Sequence, residues 1–198
     1  MSRKKIKIAC VGDSITHGYA SSNPDTASYP SVLKDLMGDG YEIGNFGLSG
    51  STMMPDTFFP YYGSEEHKAA LMFGADAVVL MLGTNDSCFY PDRAKKEDYL
   101  KAADKMFESF EILKKRPRIF FCLVPHLYSN PQFANSIETI IIPLQEQIAK
   151  KHSAVLIDVH SVLSAPSLFI DGVHPTDEGY ALLAKTVAPV LKDAFGKK

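Results

Sequence analysis

The sequence contains no tryptophan, only 3 cysteines in 198 residues, and no surplus of either charge, with 21 Lys and Arg against 23 Asp and Glu. Each shortage excludes something. Three cysteines cannot all pair, and none stands in a Cys-x-x-Cys spacing, so neither a disulfide framework nor a cysteine zinc site is expected. Cys10 and Cys122 lie inside apolar runs and read as reduced core residues, whereas Cys88 follows a polar loop. A formal net charge of -2 lacks the basic face of a nucleic-acid binder. No apolar run approaches the roughly 20 residues that span a bilayer, so neither nucleic acid nor membrane is an expected partner. The opening MSRKKIKIACVGDS has a basic lead, but its apolar part is interrupted by Lys7 and stopped at Asp13. That makes a poor secretory signal and leaves the cytoplasm as the default location.

What is present is ordinary for a globular chain: 45% hydrophobic and 22% charged residues, with no repeat and no break in composition. One domain spanning residues 1–198 is expected, large enough to bury a core without staples. Five short apolar runs punctuate it: IKIACV (6–11), YEIGNF (41–46), AVVLML (77–82), IFFCLV (119–124) and AVLIDV (154–159). Three are nearly continuous in Val, Ile, Leu and Phe, the pattern of strands buried on both faces of a parallel sheet. Amphipathic segments separate them, among them YPSVLKDLM and KKEDYLKAADKMFESFEILKK, with Leu100, Ala103, Phe107, Phe110 and Leu113 on one stripe. SIETIIIPLQEQIAKKH and TDEGYALLAKTVAPVLKDAF complete the set, the last capped by Thr176 with Asp177 and Glu178 in its first turn. Strand and helix alternate, which predicts an α/β domain of five parallel strands with right-handed crossovers.

The polar signals fall where the runs end. Run one leads into GDSITHG, run two into NFGLSGST, run three into GTNDS, and the fifth, after a loop, into FIDGVHPTDEG. Each alone reads as a turn, since Gly, Asp, Asn and Ser are the residues turns favour. In open parallel sheets, however, ligands bind at the carboxyl ends of the strands, so the four should gather at one edge. There each supplies a different part of one mechanism. The hydroxyl of Ser14 is a weak nucleophile and needs a base, which His174 can provide as a neutral imidazole. Asp171, three residues earlier across a glycine turn, can orient that base, and Pro175 keeps His174 extended ahead of the last helix. The N–H groups of Ser14 and Gly50 and the side-chain amide of Asn85 are the candidate oxyanion donors.

In these blocks the sequence resembles the GDSL or SGNH hydrolases: GDSITHG with Ser14, NFGLSGST with Gly50, GTND with Asn85, and DGVHPT with Asp171 and His174. The likeness covers nearly the whole chain. It implies a three-layer α/β/α, flavodoxin-like fold with strand order 2-1-3-4-5. It also implies a serine esterase with a Ser14–His174–Asp171 triad and an oxyanion hole of Ser14, Gly50 and Asn85. Asp13 and Asp86, within matched blocks, are assigned to holding loops. Thr16 stands where the second glycine of G-x-S-x-G would be, which separates the site from the nucleophile elbow of α/β-hydrolases.

Two other classes fit less well. A metal-dependent phosphoesterase would draw on Asp13, His17, Asn85, Asp86 and His174, yet no further histidine cluster supplies a second metal's shell. A binding module that kept the fold and lost its chemistry would not need every catalytic position filled. No metal or organic cofactor is called for, because the leaving group requires only a proton from His174. The expected partner is a small-molecule ester. Resemblance of SYPSVLKDLMGDGYEIGNFGLSGSTMM, MLGTNDS and CLVPHL to bacterial sugar-ester deacetylases points to an acetylated carbohydrate, with thioesterase, lysophospholipase or short-acyl esterase as alternatives. Phe58, Phe59, Tyr61 and Tyr62 could wall a sugar ring or anchor their loop, and His126 could touch substrate.

Overall fold

The computed structural model describes residues 4–57, 59–89 and 96–196. The chain begins with β1 (Ile6–Gly12), a single turn α1 (Ser14–His17), the short α2 (Pro24–Ala27) and α3 (Tyr29–Met37). Next come β2 (Tyr41–Gly47), α4 (Glu65–Met72), β3 (Ala77–Met81) and α5 (Lys96–Glu111). The last part holds β4 (Arg118–Cys122), α6 (Pro131–Ser136), α7 (Ile142–Lys151), β5 (Val155–Ile157), α8 (Val159–Val162) and α9 (Asp177–Phe195).

All five strands pair in parallel, in the order β2-β1-β3-β4-β5. Ile8, Cys10, Ala77, Val79, Phe120 and Cys122 face one helical layer, where they meet Tyr29, Leu33, Tyr180, Leu183 and Val187 of α3 and α9. The alternate residues Ala9, Val11, Val78, Leu80, Ile119 and Phe121 face the other, against Ala70, Phe107, Phe110 and Ile148 of α4, α5 and α7. This is why β3 is buried at every position and reads as a continuous apolar run. The stripe read along residues 95–115 divides: Ala103, Phe107 and Phe110 are buried, and Leu100 and Leu113 pack at the margin of the core. Cys10 and Cys122 are buried in the core, and burial pushes the Cys10 thiol up to about 12; Cys88 is exposed.

The helix expected over residues 136–152 contains a wide π turn, Ile137–Ile141, in which the Ile142 N–H reaches back to the Ile137 carbonyl. Pro143 follows at the start of α7 and has no N–H to continue the ordinary ladder. Below this segment, the buried amide of Gln145 fastens the ends of two strands. Its oxygen accepts the Val124 N–H (3.1 Å), and its nitrogen donates to the carbonyls of Leu82 (3.1 Å) and Cys122 (3.3 Å). Among the described residues no helix is long and apolar enough to cross a membrane.

Candidate active site

The first strand delivers its polar motif directly. Asp13 caps α1, its Oδ1 accepting the Ile15 N–H at 2.9 Å, so Ser14 becomes the first residue of that turn. Ser14 is nearly buried. Asp13 is wholly buried; burial pushes its carboxyl up to about 7, the Ile15 amide opposing and the neighbouring Asp86 charge adding.

The other end of the chain supplies the histidine. Between Phe169 and Pro175, which form an antiparallel bridge, the chain makes a tight turn. One oxygen of Asp171 shapes that turn by accepting the Val173 and His174 amides at 2.9 and 2.8 Å. The other lies 2.7 Å from His174 Nδ1. Burial raises the Asp171 carboxyl, but the hydrogen bonds from the His174 ring and from both amides outweigh it and hold it below its ordinary value. A carboxylate can only accept, so Nδ1 carries the proton and Nε2 presents its lone pair. That lone pair faces Ser14 Oγ at 2.9 Å, across 160 residues of sequence. Gly172 has φ +79, and a Cβ there would lie 2.7 Å from the Ser129 nitrogen, so the turn admits no side chain at this position.

Two further segments close around the pair. After β2, the Leu48 N–H donates to the Gly12 carbonyl at 2.9 Å, laying the loop with Gly50 beside the end of β1. After β3, a 3-10 turn (Asn85–Phe89) holds that loop from the opposite side. Asn85 Nδ2 donates to the Ser51 carbonyl at 2.9 Å, and the Asp86 carboxylate accepts the Met53 and Met54 amides, both at 2.9 Å. Burial pushes the Asp86 carboxyl up to about 6 against those two amides. Asp13 and Asp86 thus hold backbone rather than reach outward. Ser14, Gly50 and Asn85 lie at the carboxyl ends of β1, β2 and β3, joined by these bonds.

The aromatic loop divides. Phe58 lies outside the described residues. Phe59 is 61% exposed and lies beside Gly50, where a Cβ would meet its ring at 3.6 Å. Tyr62 is half-exposed, with its ring 4.9 Å from that of His67. Tyr61 requires a correction: it is fully buried, and its hydroxyl donates to the Phe46 carbonyl at 2.6 Å, so it belongs to the core and offers no wall to a sugar. His126 turns its Nδ1 to Glu138 (3.1 Å) and stacks on His160, which commits the ring to that pair.

The sequence reading passed over Tyr19, which follows the first motif directly. Its ring lies 4.6 Å from that of His174, and it is 52% exposed. Its position next to GDSITHG was a usable signal; the direction of its side chain was not.

A five-stranded parallel sheet in this order, with a serine, a histidine and an aspartate hydrogen-bonded in series at its carboxyl edge, defines an α/β/α protein of the SGNH-hydrolase type. The chain belongs to the GDSL-like lipase/acylhydrolase family, which matches residues 10–182. It is 31% identical over 207 residues to an acetylxylan esterase of Xylanibacter ruminicola, a match covering 94% of this chain and 43% of that protein. A multidomain esterase of Ruminococcus flavefaciens is 26% identical over 218 residues, covering 91% of this chain and 28% of that protein. The chain therefore spans less than half the length of either relative. In structure it is similar to a carbohydrate acetylesterase from Sinorhizobium meliloti (TM-score 0.77, 20% identity, 96% of this chain and 100% of that one). The aryl esterase of M. smegmatis is similar to the same degree (TM-score 0.77, 20% identity, 95% and 99%). At these identities the structural likeness concerns the fold alone.

Proposed function

We propose that this protein removes acetyl groups from an O-acetylated carbohydrate, with Ser14 as nucleophile, His174 as general base and acid, and Asp171 as the group that orients it. The observation that carries this reading is the unbroken series from Ser14 Oγ to His174 Nε2 (2.9 Å) and from His174 Nδ1 to Asp171 (2.7 Å). Oγ attacks the ester carbonyl while Nε2 takes its proton, forming a tetrahedral oxyanion. The Ser14 and Gly50 amides and the free N–H of the Asn85 amide receive that charge. The imidazolium then gives its proton to the ester oxygen of the sugar as the carbonyl carbon–oxygen bond breaks, which releases the sugar hydroxyl and leaves acetyl on Ser14. Water attacks that acyl-enzyme by the same proton path, and acetate leaves.

The carbohydrate half of the proposal is supported by the relative named as an acetylxylan esterase and by the two exposed aromatic rings flanking the centre. Tyr19 lies against His174 and Phe59 beside Gly50, and such flat apolar faces suit a pyranose ring. The test is a comparison of acetylated xylan and acetylated monosaccharides with para-nitrophenyl esters of graded chain length, for wild type and Ser14→Ala. The proposal expects turnover of acetyl esters of sugars, loss of all turnover in Ser14→Ala with an unchanged melting temperature, and labelling by a serine-reactive phosphonate only when Ser14 is present. Appreciable residual activity in Ser14→Ala removes the nucleophile. A rate that rises steadily with acyl length removes the acetyl preference.

A further inference from the structure

Beyond the Ser14 centre, three side chains from three elements converge without a role in the proposed reaction. His126 comes from the segment after β4, Glu138 from the π turn, and His160 from α8. One carboxylate oxygen, Glu138 Oε1, lies 3.1 Å from His126 Nδ1 and 3.0 Å from His160 Nε2. The imidazoles are stacked, their centroids 3.7 Å apart. All three ligating atoms lie within 4.8 Å of one another.

The hydrogen bonding says what belongs between them. His160 Nδ1 is 2.9 Å from the Val124 carbonyl, which can only accept, so the ring's proton is there. In the neutral ring Nε2 then points a lone pair at a carboxylate oxygen. Two acceptors at 3.0 Å require a cation between them, either a proton or a metal ion. A backbone carbonyl on the remote ring nitrogen is also the contact that orients a metal-bound histidine. The π turn adds a second observation: the wide Ile142-to-Ile137 bond displaces the helix at the segment that carries Glu138, and such turns concentrate at functional sites. His152 makes the contrast. Its Nδ1 faces Glu111 and its Nε2 faces Asp104, one carboxylate for each nitrogen, which leaves no common point for an ion.

We propose that His126, Glu138 and His160 form a binding site for a divalent transition-metal ion of the zinc type. Two imidazole nitrogens and one carboxylate oxygen suit zinc, cobalt or nickel, whereas calcium and magnesium prefer all-oxygen shells. The side chain of His160 is 10% exposed, that of His126 28% and that of Glu138 47%, so one side of the site stays open to a water ligand and to entry. The ion would tie together three chain segments under the sheet's carboxyl edge. Two residues beyond His126, the Tyr128 N–H donates to the Gly172 carbonyl at 2.7 Å, inside the turn that carries Asp171 and His174. The ion therefore braces the support of that turn.

The experiment is zinc uptake by chelator-treated protein, measured by equilibrium dialysis and by calorimetric titration with Zn²⁺, for wild type, Ser14→Ala, Glu138→Gln and His126→Gln. Wild type and Ser14→Ala should each take up one zinc ion per chain, and each of the other two variants should lose affinity by roughly tenfold or more. Saturating zinc should raise the melting temperature of wild type but not of Glu138→Gln. X-ray absorption of the loaded protein should show only nitrogen and oxygen ligands at about 2.0–2.2 Å. Failure to take up stoichiometric zinc, or uptake that both substitutions leave unchanged, overturns the proposal and leaves the cluster holding protons only. None of these readouts depends on ester hydrolysis, so the site stands or falls apart from the proposed function.

Discussion

The phenol ring of Tyr19 lies against the imidazole of His174, centroids 4.6 Å apart and planes inclined by 55°. The contact joins the first motif of the chain to the last, and other bonds hold it in place. The Tyr180 hydroxyl donates to the Tyr19 carbonyl at 2.7 Å, and the Ser22 N–H donates to Asp177 at 2.9 Å. The chain leaving α1 is thus fastened to α9 at Tyr19 and again at Ser22. The imidazole is then held by Asp171 through one nitrogen and by an aromatic face against its ring, while Nε2 stays directed at Ser14.

If Tyr19 positions His174 and supports substrate, removing the ring should cost more than removing its hydroxyl. An aromatic pair of this kind contributes about 0.5–1.5 kcal/mol, so Tyr19→Ala should lower kcat/KM by roughly two- to tenfold. Tyr19→Phe should stay near wild type, because the fastening bond runs to the backbone carbonyl and survives the change. Steady-state kinetics on an acetylated sugar and on a small aryl acetate would separate the two roles: a loss on both reports histidine positioning, a loss on the sugar alone reports binding. Equal losses in the two variants would show that the hydroxyl, not the ring, matters.

Asn85 carries two amide hydrogens. One is given to the Ser51 carbonyl, which leaves the other for a developing oxyanion. Asn85→Ala should therefore reduce kcat by roughly 10²–10³ with little change in KM. A change confined to KM would make Asn85 a binding residue, and a melting temperature lowered in step with activity would show that its bond to the Ser51 loop dominates.

The fold was legible because burial on both faces leaves a simple signature. Runs such as AVVLML have no polar alternation, and three of the four polar motifs sit where those runs stop, the fourth following a loop after the fifth run. The meeting of Ser14 with His174 followed from that geometry, since parallel strands present their carboxyl ends on one side. Side-chain direction was not legible. Tyr61 and Tyr62 are neighbours of identical chemistry, yet one is fully buried and the other half-exposed. Glu138 sits in an amphipathic segment where nothing in the sequence sets it apart. Only the π turn and the fold of α8 bring it to His126 and His160. Gln145 was hidden similarly, as a polar residue in an amphipathic stripe whose partners are backbone atoms of two distant strands.

Gln145 invites a stability test. Its amide, fully buried, bonds one N–H and two carbonyls away from the surface. The Leu82 carbonyl keeps the Tyr99 hydroxyl at 3.4 Å, but a buried backbone group left without a partner costs about 1–3 kcal/mol, so Gln145→Leu should destabilise the fold by about that much or more despite its similar volume and greater hydrophobicity. Urea unfolding would measure this. A variant as stable as wild type would mean that the strand ends find other partners when the amide is removed.

Burial pushes the Asp13 carboxyl up to about 7. In the unfolded chain an aspartate titrates near 3.9. Between about pH 4 and about pH 7 the folded state therefore keeps a proton that the unfolded state releases, and stability falls as pH rises through that window. Below the window the group makes no difference, and above it the full loss is in place. Asp86, pushed up to about 6, acts in the same direction over a narrower range. Asp171 has the opposite sign: its carboxyl is held below the ordinary value, so its contribution is lost as pH falls. Asp13→Asn keeps an acceptor for the Ile15 amide and removes the titration. Its stability relative to wild type should rise from pH 4 to pH 8, by about 1.4 kcal/mol for each unit of pKa displacement removed. Chemical denaturation of both proteins across that range checks it. Parallel curves would show that Asp13 titrates alike in the folded and unfolded chains, and that solvent or a proton donor reaches its carboxylate.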